Sequence, residues 1–364
     1  MPDAARAAPG APPIPTPAYT GPGRATATPH RLSLVVPMFD EVENAAPLLD
    51  AIQEGLRDYP WPWELVVVDD GSRDGTREAL VRRAAELGPH MRVVRLRRNF
   101  GQSAAMQAGI DAARGDVIVT LDGDLQNDPA DVPALVARLL EDDKDLVAGW
   151  RTDRRDARVL RRLPSLVANR LIRRATGLDF HDLGCSLKAY RAPVLREIRL
   201  FGEMHRFIPA WLATVTSPER MAEVPVRHKS RERGASKYGI SRTFRVVVDL
   251  LSVYFFLRFR ARPGHFFGLL GLLVFTAGLG ILGYLFGLKI AGASIGGRPL
   301  LLLGFFFVMG GVQLLTTGVL AEIVIRVYFD GRLAKSYHAT EGTSLPPDAG
   351  WFVGPAGPVA PTWS

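Results

Sequence analysis

Two stretches of the chain, 266–288 and 299–321, contain no charged residue. Each has the length that crosses a hydrocarbon core of about 30 Å at roughly 20 residues per helical span. The alternative for such runs is a pair of buried helices in a soluble core. The glycine-rich link between them carries only Lys289 and Arg298. Basic residues are denser before the first run, and Arg326, Arg332 and Lys335 follow the second. The excess of Lys and Arg on the cytoplasmic side of spans then puts both chain ends in the cytoplasm of an inner-membrane protein. Before the first span, residues 244–264 alternate apolar stretches with Arg258, Arg260 and Arg262 and read as an interfacial amphipathic helix. Glycines recur in both spans, among them Gly271, Gly278, Gly304 and Gly311. Small residues let helices approach closely, within the chain or between copies of it, so a homo-oligomer, for instance a tetramer, is expected.

The remainder of the 364 residues suffices for one sizeable α/β domain, 31–243. Residues 1–30, rich in Ala, Pro and Thr, read as a disordered arm, and 329–364 as a flexible tail. No apolar segment of a secretory signal follows the first residues. The single Cys185 excludes an intrachain disulfide framework. A net charge of +8 admits nucleic acid, anionic lipid or phosphorylated compounds as partners.

Within 31–243, short apolar runs alternate with helical spacing. Strands are predicted at 32–37, 63–68, 92–96, 117–121 and 146–149, and helices at 43–57, up to 87, and at 103–113. This alternation implies a mainly parallel sheet covered on both faces, which binds ligands beyond the carboxyl ends of its strands. Three polar clusters fall at those ends: Pro37 to Glu41, Asp69 to Asp74, and Asp122 to Gln126. In extended chain alternate side chains point the same way, so Asp122, Asp124 and Gln126 converge on one point. Oxygen ligands of this kind suit Mg²⁺ or Mn²⁺ with positions left open for a diphosphate. Asp69 and Asp70 read either as turn formers or as further walls of an acidic pocket.

The segments Val35 to Glu41, Val67 to Thr76 and Asp122 to Gln126 resemble, in this order, the motifs of family 2 glycosyltransferases with a GT-A fold. Arg98-Asn99-Phe100-Gly101-Gln102 resembles their polyprenyl-phosphate branch, which acts on dolichol or undecaprenyl phosphate. The resemblance covers about 31–330. It implies that Pro37, Phe39, Glu41, Asp69 and Asp70, with Gln102, line the site of a nucleotide-sugar. It also implies that Asp122 contacts ribose or metal, and that Asp124 and Gln126 hold the metal against the diphosphate. Asp40 stands where the pattern often has Asn.

The segment 182–191, beginning at Asp182, resembles the family's next motif and makes Asp182 a candidate base. Against that role, a phosphomonoester has a second pKa near 6, so a lipid phosphate is mostly dianionic at pH 7 and needs aiming more than deprotonation. Residues 151–175 are rich in Arg and read as a solvated helix face or a membrane-surface helix. A helix is predicted to start at 203–209, with Arg206 facing the reaction and His205 either structural or close to the donor sugar. Arg231 to Tyr238 resembles the R-x-x-G-x-S-K motif. There Arg231, Ser236 and Lys237 supply a fork of donors, a hydroxyl and a point charge for phosphate. No RNA-binding motif accompanies this basic loop, so nucleic acid is set aside as a partner.

The expected activity is inverting, metal-dependent transfer of a sugar from a UDP- or GDP-sugar to a polyprenyl phosphate at the cytoplasmic membrane face. Two rivals are a processive polysaccharide synthase, whose Q-x-x-R-W motif is missing from this sequence, and a non-catalytic scaffold that binds sugar nucleotides in a membrane complex.

Overall fold

The computed structural model describes residues 26–151, 177–229, 263–330 and 351–352. They divide into two compact units, one built on the sheet and one on the long apolar helices.

In the first unit a seven-stranded sheet has the order β3-β2-β1-β4-β6-β5-β7. Its strands are β1 (Leu32–Met38), β2 (Trp63–Asp69), β3 (Met91–Arg95), β4 (Val117–Thr120), β5 (Leu146–Arg151), β6 (Lys188–Arg191) and β7 (Met221–Val226). β1 and β2 are buried along their whole length and apolar except for Ser33, Glu64 and the terminal Asp69, with Ser33 bonded to Glu64 at 2.8 Å across the two strands. The helices are α1 (Val42–Gly55), α2 (Thr76–Leu87), α3 (Gln102–Ala112) and α4 (Val132–Glu141). α1 buries Ala45, Leu48, Leu49 and Ile52, a stripe at helical spacing, and α4 does the same with Val132, Leu135, Val136 and Leu139.

The mainly parallel sheet expected from the sequence is present, with one reversed strand. β6 lies antiparallel between β4 and β5, so Lys188, its first residue, pairs with Thr120 and Ala148. Its reversal brings the segment before it to the same rim as the carboxyl ends of β1, β2, β4 and β5. Sequence periodicity missed β6 and β7, both short and interrupted by charge or proline. β1 also runs one residue past Pro37, and β5 continues to Arg151. At 203–209 the chain forms a 3₁₀ turn, Met204–Phe207, and then a short helix, Ile208–Leu212.

Two corrections concern the ends of the chain. Thr26 and His30, assigned to a disordered arm, are buried. The Trp61 indole donates to the Thr26 carbonyl at 2.8 Å, and His30 bonds the Tyr59 hydroxyl. Phe352, assigned to a flexible tail, pairs with Trp63 at the start of β2 through two reciprocal backbone hydrogen bonds of 3.0 Å. In both places aromatic rings gain apolar contact that local composition does not reveal.

In the second unit the helices Pro263–Ile290 and Pro299–Asp330 pack on each other. Within them, Phe266–Ile290 and Pro299–Ala321 are long and apolar enough to cross a membrane. Leu269, Phe286, Phe306 and Met309 are exposed, as side chains facing lipid would be. The helices meet at glycine: a Cβ on Gly271 would approach the Gly311 carbonyl to 2.9 Å, and one on Gly311 would strike Phe275. The interfacial helix expected over 244–264 falls outside the described residues except at its end, where Pro263 already begins the first long helix.

Candidate active site

The carboxyl ends of β1, β2 and β4 deliver all three predicted polar clusters to one rim. After β1, Asp40 adopts φ 49° and donates its N–H to the Ser72 hydroxyl, while the Glu41 N–H donates to Thr76. Glu41 accepts from the Asn44 amide at 2.7 Å. Pro37 is buried in β1, and Phe39 is half-buried just beyond it. The loops after β1 and β2 thus brace each other.

At the end of β2, Asp69 is fully buried. It accepts the Ser72 N–H at 3.0 Å and the Arg77 guanidinium at 3.0 Å. Asp70, also buried, accepts the backbone N–H groups of Phe100 and Gly101 at 2.8 and 2.9 Å. Burial pushes its pKa up, and these two bonds and the Arg98 charge oppose the shift. Asp70 therefore shapes the Arg98–Gly101 loop from below instead of walling an open acidic pocket. That loop crosses so close to β2 that a Cβ on Gly71 (φ 72°) would lie 2.5 Å from the Arg98 carbonyl carbon.

After β4 the chain turns sharply. Asp124 accepts the Gln126 N–H at 3.2 Å, and Leu125 between them sits at φ 61°, a conformation that costs an L-residue about 1–2 kcal/mol. Gly123 is needed here, since any Cβ would come within 2.7 Å of Met38. The turn is tied down from β7's continuation: Lys229 N–H donates to the Gln126 carbonyl at 2.8 Å, and Arg227 is clamped by Asp128 and Asp131. The Gln102 amide, at the start of α3, donates to Asp122 at 2.8 Å. Burial first, and then the Asp124 charge, raise the Asp122 pKa, while Ser186, Lys188 and Arg151 favour its ionised form. Two carboxylates held against each other on one loop leave a repulsion that a divalent cation would relieve, so the residues fit Mg²⁺ or Mn²⁺. Among the described residues no group of three His, Cys, Asp or Glu side chains converges as a metal site. The remaining ligands would be the Gln126 amide or oxygens of a bound diphosphate.

Asp182 is 3% exposed and forms a bidentate pair with Arg151, at 2.6 Å to Nε and 2.9 Å to Nη2. It also accepts the Gly184 N–H at 3.2 Å. The carboxylate of Glu223 in turn receives the backbone N–H groups of His181 and Asp182. His205 bonds the Ser103 hydroxyl at 2.8 Å, which fixes the Met204–Phe207 turn to the start of α3 and favours its structural role. Arg206, in that turn, pairs with Glu203 at 3.0 Å. Arg231, Ser236 and Lys237 lie outside the described residues.

Sequence reasoning assigned no role to Ser186 and Lys188. Ser186 bonds both Asp122 and the Asn127 amide. Lys188 is 2% exposed and donates to the Cys185 carbonyl. Burial drives its pKa down against the pull of Cys185, Asp182 and Asp122. Cys185 is buried, with its thiol pushed up to about 11, and is inert. The signal for Lys188 was present, since a cation inside a strand flanked by apolar residues must find a counter-charge.

Residues 33–199 match the model of glycosyl transferase family 2. The chain is 52% identical over 307 residues to dodecaprenyl-phosphate galacturonate synthase of Rhizobium johnstonii, covering 84% of this chain and 91% of that protein. It is 34% identical over 317 residues to undecaprenyl-phosphate 4-deoxy-4-formamido-L-arabinose transferase of Shewanella sediminis, covering 85% and 92%. Among solved structures, glucosyl-3-phosphoglycerate synthase from Mycobacterium tuberculosis shares the fold, with a TM-score of 0.50 at 21% identity over 62% of this chain and 79% of that one. Motif order and the similarity to these relatives over more than four fifths of the chain agree: the chain is a glycosyltransferase of family 2 and belongs to its polyprenyl-phosphate glycosyltransferases.

Proposed function

We propose that this enzyme transfers a sugar from a nucleotide-sugar to a polyprenyl phosphate at the cytoplasmic face of a membrane, with inversion at the anomeric carbon. The observation that carries the reading is the Asp122–Asp124 turn, two mutually repelling carboxylates buttressed by Gln102 and Ser186. A bound Mg²⁺ or Mn²⁺ would supply charge neutralisation for the departing nucleoside diphosphate. Pro37, Phe39 and Glu41 are assigned to the nucleoside. Asp69 and Asp70 act indirectly, by fixing the loops that hold it.

An oxygen of the lipid phosphate forms the new bond to the anomeric carbon. The bond from that carbon to the nucleoside diphosphate breaks, and its electron pair leaves with the diphosphate. A dianionic phosphate has no proton to give up, so no base is required. Asp182 accordingly serves as the anchor of Arg151, whose guanidinium it aims at the phosphate. Arg206, Arg231, Ser236 and Lys237 complete the phosphate contacts. The donor is a hexuronic acid nucleotide, by similarity to the 52% identical galacturonate synthase; a 4-amino-arabinose derivative is the second reading, by similarity to the 34% identical transferase.

The two apolar helices anchor the enzyme where the lipid head emerges. The pairing of Phe352 with Trp63 supports an even number of crossings, because it returns the chain after the second span to the unit it left before the first. The domain limits 31–243 for catalysis and 265–328 for the membrane are proposed on the same basis.

The test is transfer of radiolabel from UDP- and GDP-sugars, uronic acids included, to polyprenyl phosphate in nanodiscs with and without EDTA. EDTA-sensitive label in the lipid from one donor is expected. Label resistant to EDTA would remove the metal from the reading. No label from any donor, or binding of sugar nucleotides without transfer, would favour the scaffold.

A further inference from the structure

We propose that Ser103 is a positioning residue for the transfer: through His205 it sets the Met204–Phe207 turn, and with it Arg206, in fixed register with the Asp122–Asp124 turn. The proposal rests on the reading above, in which Asp122 serves the donor side and Arg206 the acceptor phosphate.

The first observation is a polar face on a helix that should have none. α3 buries every side chain from Ser103 to Ile110. Its residues at 104–106 and 108–110 are accordingly apolar or glycine. Ser103, Gln107 and Asp111 break that pattern at a spacing of four, which places them on one face. All three are directed at the same stretch of chain. The Ser103 hydroxyl accepts the His205 N–H at 3.1 Å and is hydrogen-bonded to its Nδ1 at 2.8 Å. Gln107 accepts the Leu200 N–H at 2.8 Å, and its own amide donates to Asp111 at 2.8 Å. Asp111 pairs with Arg199 at 2.8 Å. Residues 199–205 thus run along α3 against its direction, and Ser103 makes the contact beside Arg206.

The second observation is that α3 itself is held in place. Asp70 binds the N–H groups of Phe100 and Gly101 at its start. A Cβ on Gly109 would lie 2.3 Å from Val35 and 3.1 Å from Val68, so the helix sits flush on β1 and β2. The residue before Ser103 is Gln102, which points about 100° further round the helix axis and donates to Asp122 at 2.8 Å. Two neighbouring residues of one fixed helix therefore hold the two halves of the reaction. Successive side chains of a 3₁₀ turn lie about 120° apart. Pinning His205 to α3 consequently sets the direction in which Arg206 leaves the turn. Transfer tolerates little error here, since a misplacement of about 1 Å can cost on the order of 10²-fold in rate.

The experiment uses the full chain in nanodiscs with undecaprenyl phosphate and the UDP- or GDP-sugar that labels lipid with the parent protein. Ser103→Ala should raise the acceptor KM on the order of tenfold or more. Its affinity for UDP or GDP with Mn²⁺, read by calorimetric titration, should stay at the parent value. Gln102→Ala should do the reverse, weakening the nucleoside diphosphate and leaving the acceptor KM near that of the parent. His205→Ala breaks the same bond as Ser103→Ala and should share its effect, which keeps the test open should Ser103→Ala fail to fold. His205→Asn retains a polar group near the place of Nδ1 and lacks Nε2; it should recover most of what His205→Ala loses. An unchanged acceptor KM in Ser103→Ala and His205→Ala overturns the proposal, because packing of Met204 and Phe207 would then hold the turn by itself. Parallel loss of diphosphate affinity and acceptor KM overturns it too, as a general loosening of the fold. So does His205→Asn as impaired as His205→Ala, which would put the imidazole itself in the reaction. Should the parent protein label no lipid at all, the acceptor reading has failed, independently of the polar face of α3.

Discussion

Replacing Asp182 with Asn decides whether this carboxylate takes a proton or holds a cation. Its oxygens accept two bonds from Arg151, at 2.6 and 2.9 Å, and one from the Gly184 N–H. Asp182 is 3% exposed and the Arg151 side chain 21%, so the pair is poorly screened. Removing one partner of a buried pair costs about 3–5 kcal/mol, because the other charge stays behind. The Asn carbonyl can still accept one guanidinium N–H, which puts Asp182→Asn near the lower end, at about 3 kcal/mol. A domain with about 5–15 kcal/mol of stability survives that loss. For a unit of roughly 200 residues its melting temperature should fall by about 6–12 °C.

Acceptor kinetics then separate the roles. If Asp182 aims Arg151, then Asp182→Asn and Arg151→Gln each raise KM for the polyprenyl phosphate, and the double variant is little worse than either single one. The coupling read from that cycle should be about 2–3 kcal/mol. A general base behaves otherwise. Its loss lowers kcat by about 10²–10⁴ with the acceptor KM intact, and its effect adds to that of Arg151→Gln. Additive losses confined to kcat, with melting unchanged, would refute the anchoring argument.

Gly71→Ala should cost about 2 kcal/mol, since the new Cβ meets backbone 2.5 Å away at a positive φ; thermal melting and calorimetric titration with donor should both register the displaced 98–101 loop. Asp70→Asn turns an amide NH₂ toward one of two backbone donors and should cost about 1–3 kcal/mol, with donor KM raised and kcat nearly preserved in steady-state assays. Acid stability should fall in two windows. His90 is buried neutral, with its pKa pushed down to about 4 from 6.5, so the unfolded chain takes up the proton first and up to about 3 kcal/mol is lost as pH drops from 6.5 toward 4. Glu64 is opposed by burial, yet bonds from Arg114 and Ser33 and the Arg92 charge hold its pKa below 4.5, so its contribution is present above 4.5 and fades as pH falls below that value. Melting curves of His90→Phe against pH should be flatter in the upper window and unchanged in the lower one.

The sequence exposed the parts of this molecule that are local. Strands buried on both faces are mostly apolar, so β1, β2 and β4 announced themselves, Ser33 and Glu64 apart, and the polar residues that end them marked the rim. The uncharged spans followed from bilayer thickness in the same way. What stayed hidden depends on partners far along the chain. β6 carries Lys188 in the interior, and the carboxylates whose charge it feels, Asp122 and Asp182, are placed there by the fold. Trp351 and Phe352 sit in a Pro-rich tail whose composition suggests disorder, and residues hundreds of positions earlier give them a place to pack, Trp63 and His90 for Phe352, Arg31 and Arg114 for Trp351.

The carboxylates of the site show why a motif assigns position better than role. Asp69, Asp70, Asp122, Asp124 and Asp182 all stand where strands meet the rim, and by residue type they are equivalent. Their surroundings divide them. Asp69, Asp70 and Asp182 each receive backbone amides or a guanidinium on both oxygens, and a carboxylate so satisfied is committed to holding a loop or an arginine in place. Asp122 and Asp124 share one turn instead, and Asp122 is disfavoured as an anion by burial and by its neighbour, against the neutral donors Gln102 and Ser186 and the charges of Lys188 and Arg151. The mutual repulsion that remains between them is what a divalent cation would relieve. The donors that satisfy the first group come from Arg77 in α2, the 98–101 loop after β3 and Arg151 at the end of β5, three separate elements of the sheet unit. The division between scaffold and chemistry is therefore a property of the fold's topology, which no single stretch of sequence contains.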